Sequence, residues 1–312
     1  MICDGSSEIL RRSPLGTSND FPGTGTANTN NYVRHNLWEC RPYNYDLSLI
    51  EALRVHVKSS DDILELAPPP ADARVPYGGD PSQFIDLRMP KSKASHALAI
   101  VIHGGYWRAK YDLVYMGHLC AALAAMGIAT ANVEYRRVGN RGGGWPGTFA
   151  DIRSAYQFLT QNARQYEFDV QRLLAIGHSA GGQLALSLAA RETGVKAVVS
   201  LAGVIDLHRA YSLHLSNDAV VAFLGGTPAE VPDHYKEADP MNLAIKARQW
   251  LVQGAADDTV PPEFSRDYAA AKHKMGEDAC LVEIPNAGHF EVVDPRSAAW
   301  KEVARVVTSA TA

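Results

Sequence analysis

From Leu98 onward the chain repeats one pattern: a short apolar run of strand length, then a longer amphipathic stretch of helical length. The runs are LAIVIH (98–103), IATANVEY (128–135), RLLAIG (172–177), KAVVSLAG (196–203), QWLVQG (249–254) and CLVEIP (280–285). Helical spacing fills 112–126, 148–163, 180–190 and 262–275, and returns at 297–307. Apolar strands separated by helices have to be covered on both faces. The expected class is therefore α/β, with a mostly parallel central sheet and helices on both sides. QFIDLR (83–88) adds a strand before the repeat, and 206–246 breaks the rhythm as a cap-like insertion over the strand ends. Ligands of such sheets bind beyond the carboxyl ends of the strands.

Composition removes several function classes. Hydrophobic residues make up 46% and charged residues 21% of 312 residues, the balance of a globular chain with a substantial core. A net charge of −4 supplies no field for nucleic acid or an anionic membrane surface, so neither is an expected partner. No window approaches a membrane span, and Asp4 and Glu8 interrupt the start of the chain, so a cytoplasmic protein is expected. The four cysteines, Cys3, Cys40, Cys120 and Cys280, are too scattered for a metal or disulfide framework, and Cys120 reads as a packed helix residue. No metal or organic cofactor is implied. Residues 1–59 read as a leader and arm, polar over 11–31 and with a short covering helix over 46–57. Residues 67–79 read as a turn-rich connector, and 60–312 as the catalytic domain. Oligomeric state is open, a homodimer included.

The strand ends carry the chemistry. RLLAIG runs into Gly177-His178-Ser179-Ala180-Gly181-Gly182 and then a helix. A G-x-S-x-G between strand and helix is the context of a nucleophile elbow, and the helix N-terminus favours developing negative charge. A serine nucleophile needs a base and an orienting acid, here in the chain order Ser, acid, His. The loop after QWLVQG offers Asp257 and Asp258, and Asp257 fits G-x-x-D-x-x-V-P. The loop after CLVEIP offers His289, and no other histidine of the 11 sits so well for the base. His178 is expected to shape the elbow, its side chain pointing away from the base, or to border the substrate pocket. LAIVIH ends in His103-Gly104-Gly105-Tyr106-Trp107, where backbone N–H groups of Gly105 or Tyr106, with that of Ala180, can hold an oxyanion. His103 is expected to fasten the loop. Trp107 is open between lining the acyl pocket and packing beneath the loop.

With HGGYW (103–107), GHSAGGQLA (177–185), GAADDTVP (254–261) and AGHF (287–290) in place, the chain resembles α/β hydrolases of the arylformamidase and carboxylesterase group. The likeness extends over about 77–308. It implies Ser179 as nucleophile, Asp257 as acid and His289 as base, with oxyanion donors near Gly105 and at Ala180. Tyr106 stands where hormone-sensitive-lipase-like esterases carry a third glycine, a departure toward the formamidase branch. The resemblance implies hydrolysis of small-acyl esters, with aryl formamides as the alternative substrate. A reading from another class is a hydrolase-fold binding protein without activity, which usually lacks a triad member.

Overall fold

In the computed structural model the alternating pattern builds one eight-stranded sheet in the order β1-β2-β4-β3-β5-β6-β7-β8. The structure describes residues 60–92 and 95–311, so the expected leader and its short helix lie outside the described residues. The strands are β1 (Ala73–Pro76), β2 (Phe84–Arg88), β3 (His96–Ile102), β4 (Ala129–Val133), β5 (Phe168–His178), β6 (Ala197–Leu201), β7 (Arg248–Gly254) and β8 (Ala279–Ile284). Pairing is antiparallel from β1 through β2 to β4 and parallel from β4 to β8. β1 corrects the reading of 67–79 as connector alone: ARVP is too short and too exposed to show a strand pattern, and only pairing with Leu87–Phe84 defines it.

Period-two alternation sorts each central strand between two cores. In β3, Leu98, Ile100 and Ile102 join one cluster, while Ala97, Ala99 and Val101 join the other. The first cluster is closed by α2 (Gly147–Gln161), α3 (Ala180–Arg191) and α7 (Glu263–Lys274), through Ile152, Leu184 and Phe264 among others. The second is closed by α1 (Met116–Ala125) and α8 (Trp300–Thr311), through Leu119, Leu123, Val303 and Val307. Cys120 is fully buried on α1, as its spacing suggested.

Residues 206–246, between β6 and β7, form α4 (Leu207–Ser212), α5 (Ala219–Leu224) and α6 (Pro232–Ala238), followed by a 3-10 turn at Pro240–Asn242. Asp239, 1% exposed, ties the two ends of this segment together by accepting from the backbone N–H groups of Leu207 (3.0 Å) and Met241 (3.1 Å). Chain order reverses where β3 pairs with both β4 and β5, so the β3 and β5 loops part there and leave a crevice.

Candidate active site

Ser179 sits at that crevice, between β5 and the first turn of α3. Its backbone has φ 55° and ψ −122°, a positive-φ conformation that costs a serine about 1–3 kcal/mol. Neighbouring backbone holds it there: Ser179 N–H donates to the Leu201 carbonyl (2.9 Å), and Val204 and Gly182 N–H donate to the Ser179 carbonyl (3.0 and 2.9 Å). The flanking glycines are required by proximity, because a Cβ at Gly177 would strike the Gly181 carbonyl and one at Gly181 the carbonyls of Ile102 and His103.

Asp257 and His289 meet across the ends of β7 and β8. His289 Nδ1–H donates to Asp257 Oδ2 at 2.8 Å, with both residues about 5% exposed. The Asp257 carboxylate is saturated. Oδ1 accepts from Thr259 N–H (2.9 Å) and Val260 N–H (2.8 Å), and Oδ2 also accepts from Gln253 Nε2–H (3.0 Å). Asp258 is exposed, and among the described residues its carboxylate accepts from the Thr259 hydroxyl (3.3 Å). With Nδ1 engaged, the other ring nitrogen of His289 has no partner among the described residues, and neither has Ser179 Oγ. A cleft of about 280 Å³ opens beside His289, bordered by Asp258, Thr259, Phe290 and Glu291.

The loop after β3 carries the candidate oxyanion donors. Arg108 N–H closes on the Gly105 carbonyl (3.0 Å), with Tyr106 at φ 51° and Trp107 at φ 56°, so both central residues of a tight turn are left-handed. Gly105 itself has φ +100°, with the Tyr111 ring where a Cβ would be. Among the described residues the N–H groups of Gly105, Tyr106 and Ala180 have no protein acceptor. The turn is clamped on three sides. Tyr106 O–H donates to the Thr259 carbonyl (3.0 Å) and Trp107 Nε1–H to Gln183 Oε1 (3.1 Å), and the Arg108 guanidinium donates to Ser216 of the 206–246 segment. Trp107 also stacks on Phe223 of α5 at 4.5 Å. Burial, with the Asp257 charge, pushes the Tyr106 phenol up to about 12, which keeps it protonated as a donor.

His103 fastens the loop as expected. Its Nδ1–H donates to the Gly104 carbonyl (2.9 Å), its ring stacks on Tyr135 (4.3 Å), and Nε2 lies 3.4 Å from Glu134. Burial alone would raise the Glu134 carboxyl, but His103 and Arg137 outweigh it and hold it below the ordinary range.

Of the two places open to Trp107, the packed one fits its burial: the ring is fully buried beneath the turn. One expectation needs correction: His178 is buried and turned toward the base, not away from it. It is 1% exposed, its ring lies 4.6 Å from that of His289, and its Nε2 is 3.0 Å from the His289 carbonyl. The physical reason is β5–β8 geometry: Ser179 occupies the turn, and the preceding side chain is directed beneath the His289 loop. Sequence reasoning also missed Gln183, Gln253 and Tyr115. A glutamine at the carboxyl end of QWLVQ, four residues before Asp257, was a usable signal for Gln253. Nothing in the chain pattern linked Tyr115 to His178, 63 positions away.

Comparison with known proteins places the fold and the family. Esterase LipC of Mycobacterium tuberculosis is 26% identical over 251 residues, covering 71% of this chain, and the chain spans 60% of LipC's length. Kynurenine formamidase of Drosophila melanogaster is 24% identical over 245 residues, covering 73% of this chain and 77% of the relative. A truncated carbohydrate esterase from gut microbiota superposes with a TM-score of 0.68 at 22% identity, covering 79% of this chain and 99% of that one, which shows an α/β-hydrolase fold. The BD-FAE family model matches residues 85–271, more than half of the chain and including the elbow and the turn after β3, and the chain belongs to that family.

Proposed function

We propose that this protein is a serine hydrolase that cleaves carboxylic esters of small acyl groups through an acyl-enzyme intermediate. The observation that carries the reading is the buried Asp257–His289 pair at 2.8 Å beside a positive-φ serine elbow. In this reading Ser179 Oγ attacks the ester carbonyl while His289 Nε2 takes its proton. Asp257 keeps the other ring proton on Nδ1 and stabilises the imidazolium. The negative oxygen is received by the Ala180 N–H at the start of α3 and by that of Gly105 or Tyr106, in a turn already held in place before substrate arrives. His289 returns its proton to the leaving alcohol, and water releases the acyl group by the same sequence of transfers. The named activities of LipC and of the superposed carbohydrate esterase support an ester substrate.

Ser179→Ala tests the reading. Loss of several orders of magnitude in turnover of p-nitrophenyl acetate, together with loss of fluorophosphonate labelling, is expected. Undiminished turnover would overturn the nucleophile, and an unlabelled wild-type serine would favour a binding protein without activity.

A second reading is an aryl formamidase. It is favoured by the Tyr106-Trp107 pair after the glycines and by the mutual coverage with a kynurenine formamidase. Side-by-side kcat/KM values for short aryl esters and N-formylkynurenine decide between them.

A further inference from the structure

We propose that Tyr115 and His178 are positioning residues, forming one buried hydrogen-bonded chain that holds the oxyanion loop, the elbow and the base in register. The proposal rests on the serine-hydrolase reading of the site.

The chain has three links. Gly104 N–H donates to the Tyr115 hydroxyl at 2.7 Å, that hydroxyl is 2.8 Å from His178 Nδ1, and His178 Nε2 is 3.0 Å from the His289 carbonyl. Counting protons fixes its direction. The phenol oxygen already accepts from Gly104, and among the described residues its single proton has one acceptor within reach, His178 Nδ1. His178 therefore carries its own proton on Nε2, where it meets a carbonyl that can only accept. The opposite tautomer would set a bare nitrogen against a carbonyl oxygen and strand the phenol proton. A charged ring would be buried at 1% exposure beside His289, the group that must itself become positive. Burial, then His289, holds His178 well below the ordinary histidine range, in keeping with a neutral ring.

Every polar atom of both side chains is thus engaged, which is the condition for burying them. The chain begins at Gly104, next to Gly105, passes through the residue preceding Ser179, and ends on the backbone of His289. His289 is then held at two points, its ring by Asp257 and its carbonyl by His178. Phe290 closes the cluster edge-on, with ring centroids 6.0 Å from Tyr115 and 5.2 Å from His289. Neither nitrogen of His178 is free to take a proton from Ser179, so its effect runs through His289 and Gly104.

The test has a spectroscopic arm and a kinetic arm, both on the full chain. Long-range ¹⁵N–¹H spectra of histidine-labelled wild type should show one ring, lost in His178→Gln, as a neutral Nε2–H tautomer across pH 6–8. A charged ring or the Nδ1–H tautomer would overturn the chain. In Tyr115→Phe and His178→Phe, kcat for p-nitrophenyl acetate should fall roughly 10- to 100-fold with KM within about twofold, the size expected from a misplaced base. His178→Gln, whose amide N–H can reach the His289 carbonyl, should recover part of that loss. Folded variants with kcat within about threefold of wild type would reduce the pair to packing. Ser179→Ala separates the failures: if it retains turnover the serine reading fails, and the tautomer still decides the chain.

Discussion

Asp257→Asn is the sharpest single perturbation of the site, because all four partners of that carboxylate are donors. Thr259 and Val260 N–H meet Oδ1, and Gln253 Nε2–H and His289 Nδ1–H meet Oδ2. An asparagine offers one acceptor oxygen, so its NH₂ faces two donors in either orientation. Placed toward Oδ1 it opposes two backbone N–H groups that cannot turn. Placed toward Oδ2 it opposes Gln253, whose own oxygen already accepts from Ser265 (2.9 Å), and His289. The least costly relief is for His289 to move its proton from Nδ1 to Nε2. That tautomer presents an N–H to Ser179 and cannot accept its proton. A loss of about 10⁴ in kcat is expected for such a tautomer switch, about 5.5 kcal/mol at 1.36 kcal/mol per factor of ten. Crowded donors should also remove about 1–3 kcal/mol of stability. Steady-state kinetics on p-nitrophenyl acetate and urea denaturation read the two effects separately. Asp258→Asn is the matched control, expected within about twofold because that side chain is exposed. A larger loss from Asp258→Asn, or Asp257→Asn within tenfold of wild type, would refute the reasoning.

Other perturbations separate the loops. Gly105→Ala places a Cβ at φ +100° against the Tyr111 ring, so kcat should fall about 10²-fold as an oxyanion donor is displaced, with a lowered Tm. Arg108→Met frees Ser216–Asp218, whose φ values of 49–53° are all left-handed, and hydrogen exchange at 214–218 should accelerate while the sheet stays protected. Glu134→Gln should cost about 3–5 kcal/mol at pH 7, since Arg137 loses its 2.7 Å partner in a buried site. Because the folded Glu134 carboxyl titrates below its ordinary range, its contribution is complete above that range and disappears as pH falls through the folded value. Urea unfolding should therefore show wild type and variant converging in acid.

Much of this could be read from the chain because the informative features are local. Alternation in LAIVIH separates two cores by itself, and G-x-S-x-G needs only its own strand and helix to be recognised. The preference for Asp257 over Asp258 came from likeness to the G-x-x-D-x-x-V-P arrangement of the hydrolases the chain resembles, and the structure buries the first and exposes the second. β1 was missed because ARVP has four residues and no buried face of its own. Trp107 was ambiguous because whether a ring lines a pocket or packs under a turn depends on Gln183 and Phe223, 76 and 116 positions later. His178 was misdirected for a related reason. The residue before a nucleophile is assigned a direction by what lies under the elbow, and here that is a backbone carbonyl from the far end of the chain.

Part of the backbone strain falls at the candidate site. Ser179, Tyr106 and Trp107 all hold positive φ, at about 1–3 kcal/mol each, so together they oppose folding by about 3–9 kcal/mol. A domain's whole net stability is about 5–15 kcal/mol, so the strain persists only if neighbouring contacts offset it. Those contacts connect the reacting loops to one another. Tyr106 bonds the carbonyl two residues past Asp257, Trp107 bonds the helix that starts after Ser179, and Tyr115 bonds both Gly104 and His178. A loop that relaxed alone would break its neighbour's clamp as well as its own. The oxyanion turn, elbow and base should therefore loosen together, and a variant at Gln183 or Tyr115 should accelerate hydrogen exchange in all three loops before it lowers the stability of the sheet beneath them.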